Sequence, residues 1–197
     1  PTESVQARGM LELFRGCIRG CRCCQAGYVY RPVRNRSEAL CARYAVESCD
    51  GSGYQEVTLS RLSTSDYPPP TQLCDQLEDF CQQRHVNLSL PSLRADNFSM
   101  NLMERLAKGR KSGLTFAPEA GTQRLRDVIN KNVTQEDLLQ SCRTAFAGGY
   151  NAVKLYFMLG LPTETDEDVL GIADLAARVV HTWRESASNK NRGVRIT

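Results

Sequence analysis

Short runs of strand-forming residues alternate with longer helical patterns along this 197-residue chain, and that alternation restricts it to βα units built on a parallel sheet. Gly9 to Phe14 reads as a first strand, and Ser37 to Ser48 as the helix after it. Asp50-Gly51-Ser52-Gly53 breaks the chain ahead of a second strand, Gln55 to Leu59. Beyond Pro68-Pro69-Pro70, Leu73, Leu77 and Phe80 recur at helical spacing and predict a helix over Thr71 to Arg84. Val86 to Leu90 and Leu114 to Ala117 are the third and fourth strands, with a helix at about Ser99 to Lys108 between them. A short helix ends near Lys131. Thr134 and Asp137 then form a capping box, with Asp in the usual Glu position, for a helix reaching about Phe146 and closed by Gly148-Gly149. Ala152 to Leu159 is the fifth strand, Thr165 caps a helix to about Arg184, and Val194 to Thr197 begins a sixth strand.

Five βα units and the start of a sixth predict a partial (β/α)6-type barrel, since a closed eightfold barrel needs roughly 250 residues. An open doubly wound sheet is the alternative. Both architectures place ligands at the C-terminal ends of strands. The residues with chemistry follow strands here: cysteines after the first, Ser60 and Ser63 after the second, Glu119 after the fourth and Gly160 after the fifth. Pro1 in place of Met, and a sixth strand without its helix, point to a piece of a longer polypeptide. Residues 1–197 therefore read as one core domain whose flanking domains are absent.

The first of those strand ends carries Cys17-Ile18-Arg19-Gly20-Cys21-Arg22-Cys23-Cys24. Cysteines spaced Cys-x3-Cys-x2-Cys on one tight loop can hold three irons of a four-iron cluster and leave the fourth iron open to a small ligand. A structural zinc site normally has four Cys or His ligands, usually as two pairs. His85 and His181 lie far downstream with no paired spacing, which disfavours zinc. Ordinary buried thiols are the remaining reading of the loop, and the one that applies to Cys41, Cys49, Cys74, Cys81 and Cys142.

Composition narrows the setting. With 41% hydrophobic and 24% charged residues the chain has material for a core. No stretch approaches the roughly 20 apolar residues that span a bilayer, and the N-terminus lacks a signal-peptide pattern. A cytoplasmic location is expected, where an odd number of cysteines points to metal or redox chemistry rather than disulfides. The net charge of +3 is too small to argue for nucleic acid. Arg8, Arg15, Arg19, Arg22, Arg31, Arg34 and Arg36 nevertheless surround the cysteine loop with only Glu12 among them, a potential that favours an anionic cluster and an anionic ligand.

Taken with two further motifs, the loop resembles that of the radical S-adenosylmethionine (SAM) superfamily. Phe116-Ala117-Pro118-Glu119-Ala120-Gly121-Thr122-Gln123-Arg124-Leu125 is similar to the fourth-strand segment of its methylthiotransferase-like and cobalamin-associated branches. Gly160-Leu161-Pro162-Thr163-Glu164-Thr165 is similar to their fifth-strand turn. Glu56 to Ser63, Leu90 to Arg94 and Val153 to Met158 look like an uncharacterised bacterial group with a degenerate cobalamin-binding-like N-terminal domain and a further C-terminal domain. The resemblance implies a partial radical SAM barrel in which Cys17, Cys21 and Cys24 ligate a [4Fe-4S] cluster and SAM binds the open iron. SAM would be cleaved reductively to a 5′-deoxyadenosyl radical that takes hydrogen from an unknown substrate. It also implies a flavodoxin or ferredoxin as electron donor, and SAM contacts from Glu119 and Lys131, with Ser60, Ser63 and Gly160 beside them. Cys23 departs from the family, which commonly has an aromatic residue before the third cysteine. A methylthiotransferase-like enzyme acting on RNA or protein is the narrower alternative, and a non-catalytic iron–sulfur or zinc module the one from another class.

Overall fold

The computed structural model describes residues 8–60, 71–89, 114–188, 191 and 193–197. In chain order its elements are β1 (Gly9–Glu12), β2 (Phe14–Arg15), α1 (Ala26–Val29), β3 (Arg34–Asn35), α2 (Glu38–Ser52), β4 (Glu56–Ser60), α3 (Thr71–Arg84), β5 (Asn87–Ser89), β6 (Leu114–Glu119), α4 (Gln123–Val128), α5 (Gln135–Ala147), β7 (Ala152–Phe157), α6 (Asp166–Ser186) and β8 (Arg195–Ile196). Two three-stranded parallel sheets run in chain order, β1-β4-β5 and β6-β7-β8. The expected α/β architecture is present, with helices α2 and α3 backing the first sheet and α5 and α6 the second.

Alternation along each strand decides what each face does. In the first sheet Leu11, Val57 and Leu59 pack on Cys41, Ala45 and Cys49 of α2 and Leu77 of α3. Met10, Glu12, Thr58 and Ser60 occupy the opposite face, where Glu12 is paired in register with Ser60. In the second sheet Leu114, Phe116, Val153 and Leu155 meet Leu138, Cys142 and Phe146 of α5 and Leu175 and Val179 of α6. Phe146 is fully buried there, and truncating such a side chain to alanine costs about 3–5 kcal/mol. Burial also pushes the Cys142 thiol up to about 12, as suits a packing residue. Cys41 and Cys49 are core residues too, and Cys81 is half-buried beside them.

Helix signals hold closely. Ser37 Oγ accepts the Leu40 N–H at 3.4 Å at the start of α2. Thr134 and Asp137 form their reciprocal box at the start of α5. Thr165 precedes α6, where Asp168 reaches back to the Thr165 N–H at 2.9 Å.

Four expectations need correction. Helix α2 runs through Gly51 to Ser52, because buried Cys49 keeps its last turn on the sheet, and the Gly53 N–H closes it on Cys49 O at 2.8 Å. The first strand stops at Glu12. Phe14-Arg15 instead pairs antiparallel with Arg34-Asn35, closing the cysteine segment as a loop that contains α1. The fourth strand extends to Glu119, although Pro118 has no N–H to donate, and its register slips between Phe116 and Glu119. The fifth strand ends at Phe157 rather than Leu159. The expected helix at Ser99 to Lys108 and Ser63 lie outside the described residues, as do the side chains of Leu73 and Cys74.

Candidate active site

Between β2 and α1 the cysteine segment is irregular backbone. Cys21 is buried, Cys17 half-buried, and Cys23 and Cys24 are exposed; all four are free thiols. The Arg19 N–H points at Cys17 Sγ at 3.4 Å, the kind of hydrogen bond that stabilises a metal-bound thiolate. No group of three or more His, Cys, Asp or Glu side chains among the described residues already stands in a metal-holding arrangement. The fit to a [4Fe-4S] cluster therefore lies in the donor set: three thiols outside any disulfide, Cys17, Cys21 and Cys24, on one non-helical segment. His181 sits on α6 against Glu185 at 3.5 Å, so its side chain already has a partner of its own.

The loop is pinned to the other half of the chain. Arg22 N–H donates to Ile129 O at 2.8 Å, Asn130 Nδ2 to Gly20 O at 2.8 Å, and the Arg22 guanidinium to Val128 O. Asn130 and Asn132 both take left-handed backbone, with φ 53° and 51°, a conformation that asparagine tolerates better than most residues. Lys131 is held between them. Its ammonium reaches Glu119 Oε1 at 2.9 Å, and both side chains are largely buried, 12% and 21% exposed. Glu119 itself has φ 69°, a strained setting for a non-glycine residue and one found disproportionately at functional sites. The thiol of Cys23 is pushed up, first by desolvation and then by the charges of Glu119 and Cys21, with Lys131 opposing. The cysteine loop, Glu119 and Lys131 thus share one rim.

A second set of contacts sets the turns around that rim. Asp168 of α6, 2% exposed, accepts hydrogen bonds from Thr122 Oγ1, the Arg124 guanidinium, and Thr165 through its N–H and its Oγ1. The Arg124 guanidinium, then the Thr122 hydroxyl, hold its carboxyl well below the usual carboxylate range. Gly121 lies flat on this helix start: a Cβ there would sit 2.5 Å from Asp168 O and 2.6 Å from Gly171 C. Arg126, 1% exposed, donates to Ala120 O at 2.8 Å and to Gln123 Oε1 at 3.1 Å, while its Nε has no partner. Burial lowers its pKa. These groups hold the turn that follows Glu119.

The remaining predicted residues are less closely joined. Gly160 has φ 78°, and its N–H donates to Glu164 Oε2 at 2.6 Å. A Cβ at Gly160 would meet open space, so the turn conformation alone accounts for glycine there. Ser60 is half-buried at the end of β4, where its carbonyl accepts the Leu13 N–H at 3.3 Å. The arginine cluster is more neutralised than expected: Arg8 meets Glu56 at 3.3 Å, and Arg15 and Arg36 both hold Glu12. Its Arg15 partner above all keeps the Glu12 carboxyl low. Asn130, Arg124, Arg126 and Asp168 were not anticipated. For Asn130 the one local signal that could have found it is the Asn130-Lys131-Asn132 run, since asparagine is the residue that best tolerates left-handed backbone after glycine.

Comparison with known proteins adds the following. Residues 11–176 match the family model described as Radical SAM superfamily. An uncharacterized protein of Methanocaldococcus jannaschii is 38% identical over 182 residues, which cover 91% of this chain and 39% of that relative. The chain spans about two fifths of the length of this relative. Among solved structures, the radical SAM methyltransferase TsrM of Kitasatospora setae, with cobalamin and a [4Fe-4S] cluster bound, superposes with a TM-score of 0.67. It is 16% identical, over 87% of this chain and 32% of TsrM. The cobalamin-dependent SAM radical enzyme OxsB gives 0.63 at 15% identity, over 84% of this chain and 26% of OxsB. At these identities the likeness is one of fold, and it agrees with a partial barrel.

Proposed function

Because this chain belongs to the radical SAM superfamily, we propose that it is the core of an enzyme that reductively cleaves SAM and uses the resulting 5′-deoxyadenosyl radical to take hydrogen from a substrate. The observation that carries this reading is the pinning of the cysteine loop by Arg22 and Asn130 to the segment bearing Lys131, which brings thiols and the Glu119–Lys131 pair to one rim. Cys17, Cys21 and Cys24 would hold the [4Fe-4S] cluster, which together with SAM supplies the electron-transfer and radical chemistry. The Arg19 N–H stabilises the Cys17 thiolate. Lys131 offers a cation for the SAM carboxylate, and Glu119 an acceptor for its ammonium or ribose hydroxyls. Asp168 and Arg126 keep the turn behind Glu119 in place.

The reading extends to the surroundings of the enzyme. A flavodoxin or ferredoxin is the electron donor. The cytoplasm is the location; its support is the free state of every described cysteine thiol, and no described helix is long and apolar enough to cross a membrane. This core works within a longer polypeptide, a view supported by the share of its relatives that it spans. Anaerobic reconstitution of the full-length protein is expected to give iron and sulfide, an EPR signal perturbed by SAM, and 5′-deoxyadenosine after dithionite. A reconstituted protein that binds iron but never cleaves SAM would overturn the proposal.

A further inference from the structure

Strand β7 is the centre of the second sheet, and among the described residues only one of its faces packs against helices. Val153 and Leu155 pack against α5 and α6, whereas Lys154 and Tyr156 on the other face are exposed, Tyr156 at 54%. Parallel sheets are ordinarily buried on both faces, and lysine is depleted in strands. A cation at the centre of such a sheet is therefore out of place as packing. The Lys154 ammonium stands 5.9 Å from the centroid of the Tyr156 ring, so the ring face orients it without neutralising it.

The charges on these strand faces isolate Lys154 further. Glu12 is held by Arg15 and Arg36, Glu56 by Arg8, and Glu119 by Lys131. Among the described residues no carboxylate pairs with Lys154. In register it lies beside Thr115, while Glu119 lies beside Phe157, so Lys154 sits roughly 10 Å below the rim at about 3.3 Å per residue.

We propose that Lys154 and Tyr156 form a subsite for an oxyanion of the substrate, a carboxylate or a phosphate, below the rim on the open face of the second sheet. The inference rests on the enzymatic reading above for its substrate, but not for its test. The full-length protein is treated, without SAM, with pyridoxal 5′-phosphate, an anionic aldehyde. Its carbonyl condenses with the deprotonated Lys154 amine with loss of water, and borohydride delivers hydride to the resulting C=N bond, leaving a stable secondary amine that mass spectrometry maps. Acetate or inorganic phosphate is expected to slow labelling of Lys154 about 10-fold relative to chloride at equal ionic strength, because an oxyanion bound there occupies the amine, and to leave the other lysines unchanged. Protection by acetate alone or by phosphate alone identifies the oxyanion. Labelling of Lys154 that neither anion slows, or that both slow no more than at the other lysines, overturns the proposal. Unprotected Lys154 in a protein that cleaves SAM removes only the subsite; protected Lys154 in one that does not removes only the enzymatic reading.

Discussion

Substituting Gly121 by alanine tests whether the turn after Glu119 is held by its seat on α6. The added Cβ would lie 2.5 Å from Asp168 O and 2.6 Å from Gly171 C, and both are backbone atoms that no rotamer change can move. Restoring ordinary contact requires the start of α6 to retreat by close to 1 Å, about as far as the hydrogen bonds from Thr122 and Arg124 to Asp168 can stretch before they fail. Overpacking of this kind costs about 1–3 kcal/mol, and rigid neighbours together with the lost bonds put Gly121→Ala at the upper end. At about 2–4 °C per kcal/mol for a domain of this size, thermal unfolding followed by circular dichroism should shift down by roughly 6–12 °C. Gly171→Ala is the internal control. Its Cβ would meet the Thr122 methyl at 2.8 Å and the Gly121 carbonyl carbon at 3.2 Å, a milder clash that is offset in part because within a helix alanine gains up to about 1 kcal/mol over glycine. That variant should lie within about 1 kcal/mol of the parent. If Gly121→Ala unfolds no earlier than Gly171→Ala, the close seating of this turn on α6 is not what holds it.

Replacing Cys17, Cys21 or Cys24 by alanine should abolish iron and sulfide incorporation, whereas Cys23→Ala should retain both, as metal analysis after anaerobic reconstitution will show. Lys131→Met leaves the Glu119 carboxylate largely buried without its cation; a loss of about 1–3 kcal/mol in thermal unfolding is expected, between exposed and fully buried pairs, together with weaker equilibrium binding of SAM. Because the Asp168 carboxyl is depressed in the folded state, its stabilisation is present above the ordinary carboxylate pKa and is lost as pH falls toward the folded value. Urea midpoints of the parent should therefore fall between pH 5 and pH 3 more steeply than those of Asp168→Asn. Thr134→Ala removes the side-chain cap of α5; it should cost about 1 kcal/mol, read as an earlier midpoint in thermal unfolding.

What could be read from the chain follows from the range of the interactions. The Thr71 to Arg84 helix and the box at Thr134 and Asp137 depend on neighbours a few residues away, and both match the structure. The β2–β3 pair and α1 are two and four residues long, too short to leave a periodic signal. Asp168 was visible only as one acid in a helix's first turn, because its partners Thr122 and Arg124 are 46 and 44 residues distant. The side taken by Lys154 was hidden for another reason. Tyr156, Phe157 and Met158 are all apolar, so alternation failed to distinguish the two faces until Val153 and Leu155 were seen against α5 and α6. For the site, the cysteines and Glu119 were legible as strand-end residues, whereas the Glu119–Lys131 pairing depends on the two left-handed asparagines that turn Lys131 back.

The ties that Arg22 and Asn130 make between the cysteine loop and the segment bearing Lys131 carry a consequence for biosynthesis. Gly20 and Asn130 are separated by 110 residues, so at about 5–20 residues per second the thiols leave the ribosome roughly 5–20 s before the segment that anchors their loop. During that interval the cysteines are held by local contacts, the β2–β3 ladder and the Arg31 guanidinium on Ile18 O and Arg19 O, and are open to oxidants and to stray metal ions. Faithful delivery of iron and sulfide then has to follow synthesis of the second sheet, and a cell that slows translation between the two halves lengthens the window of exposure.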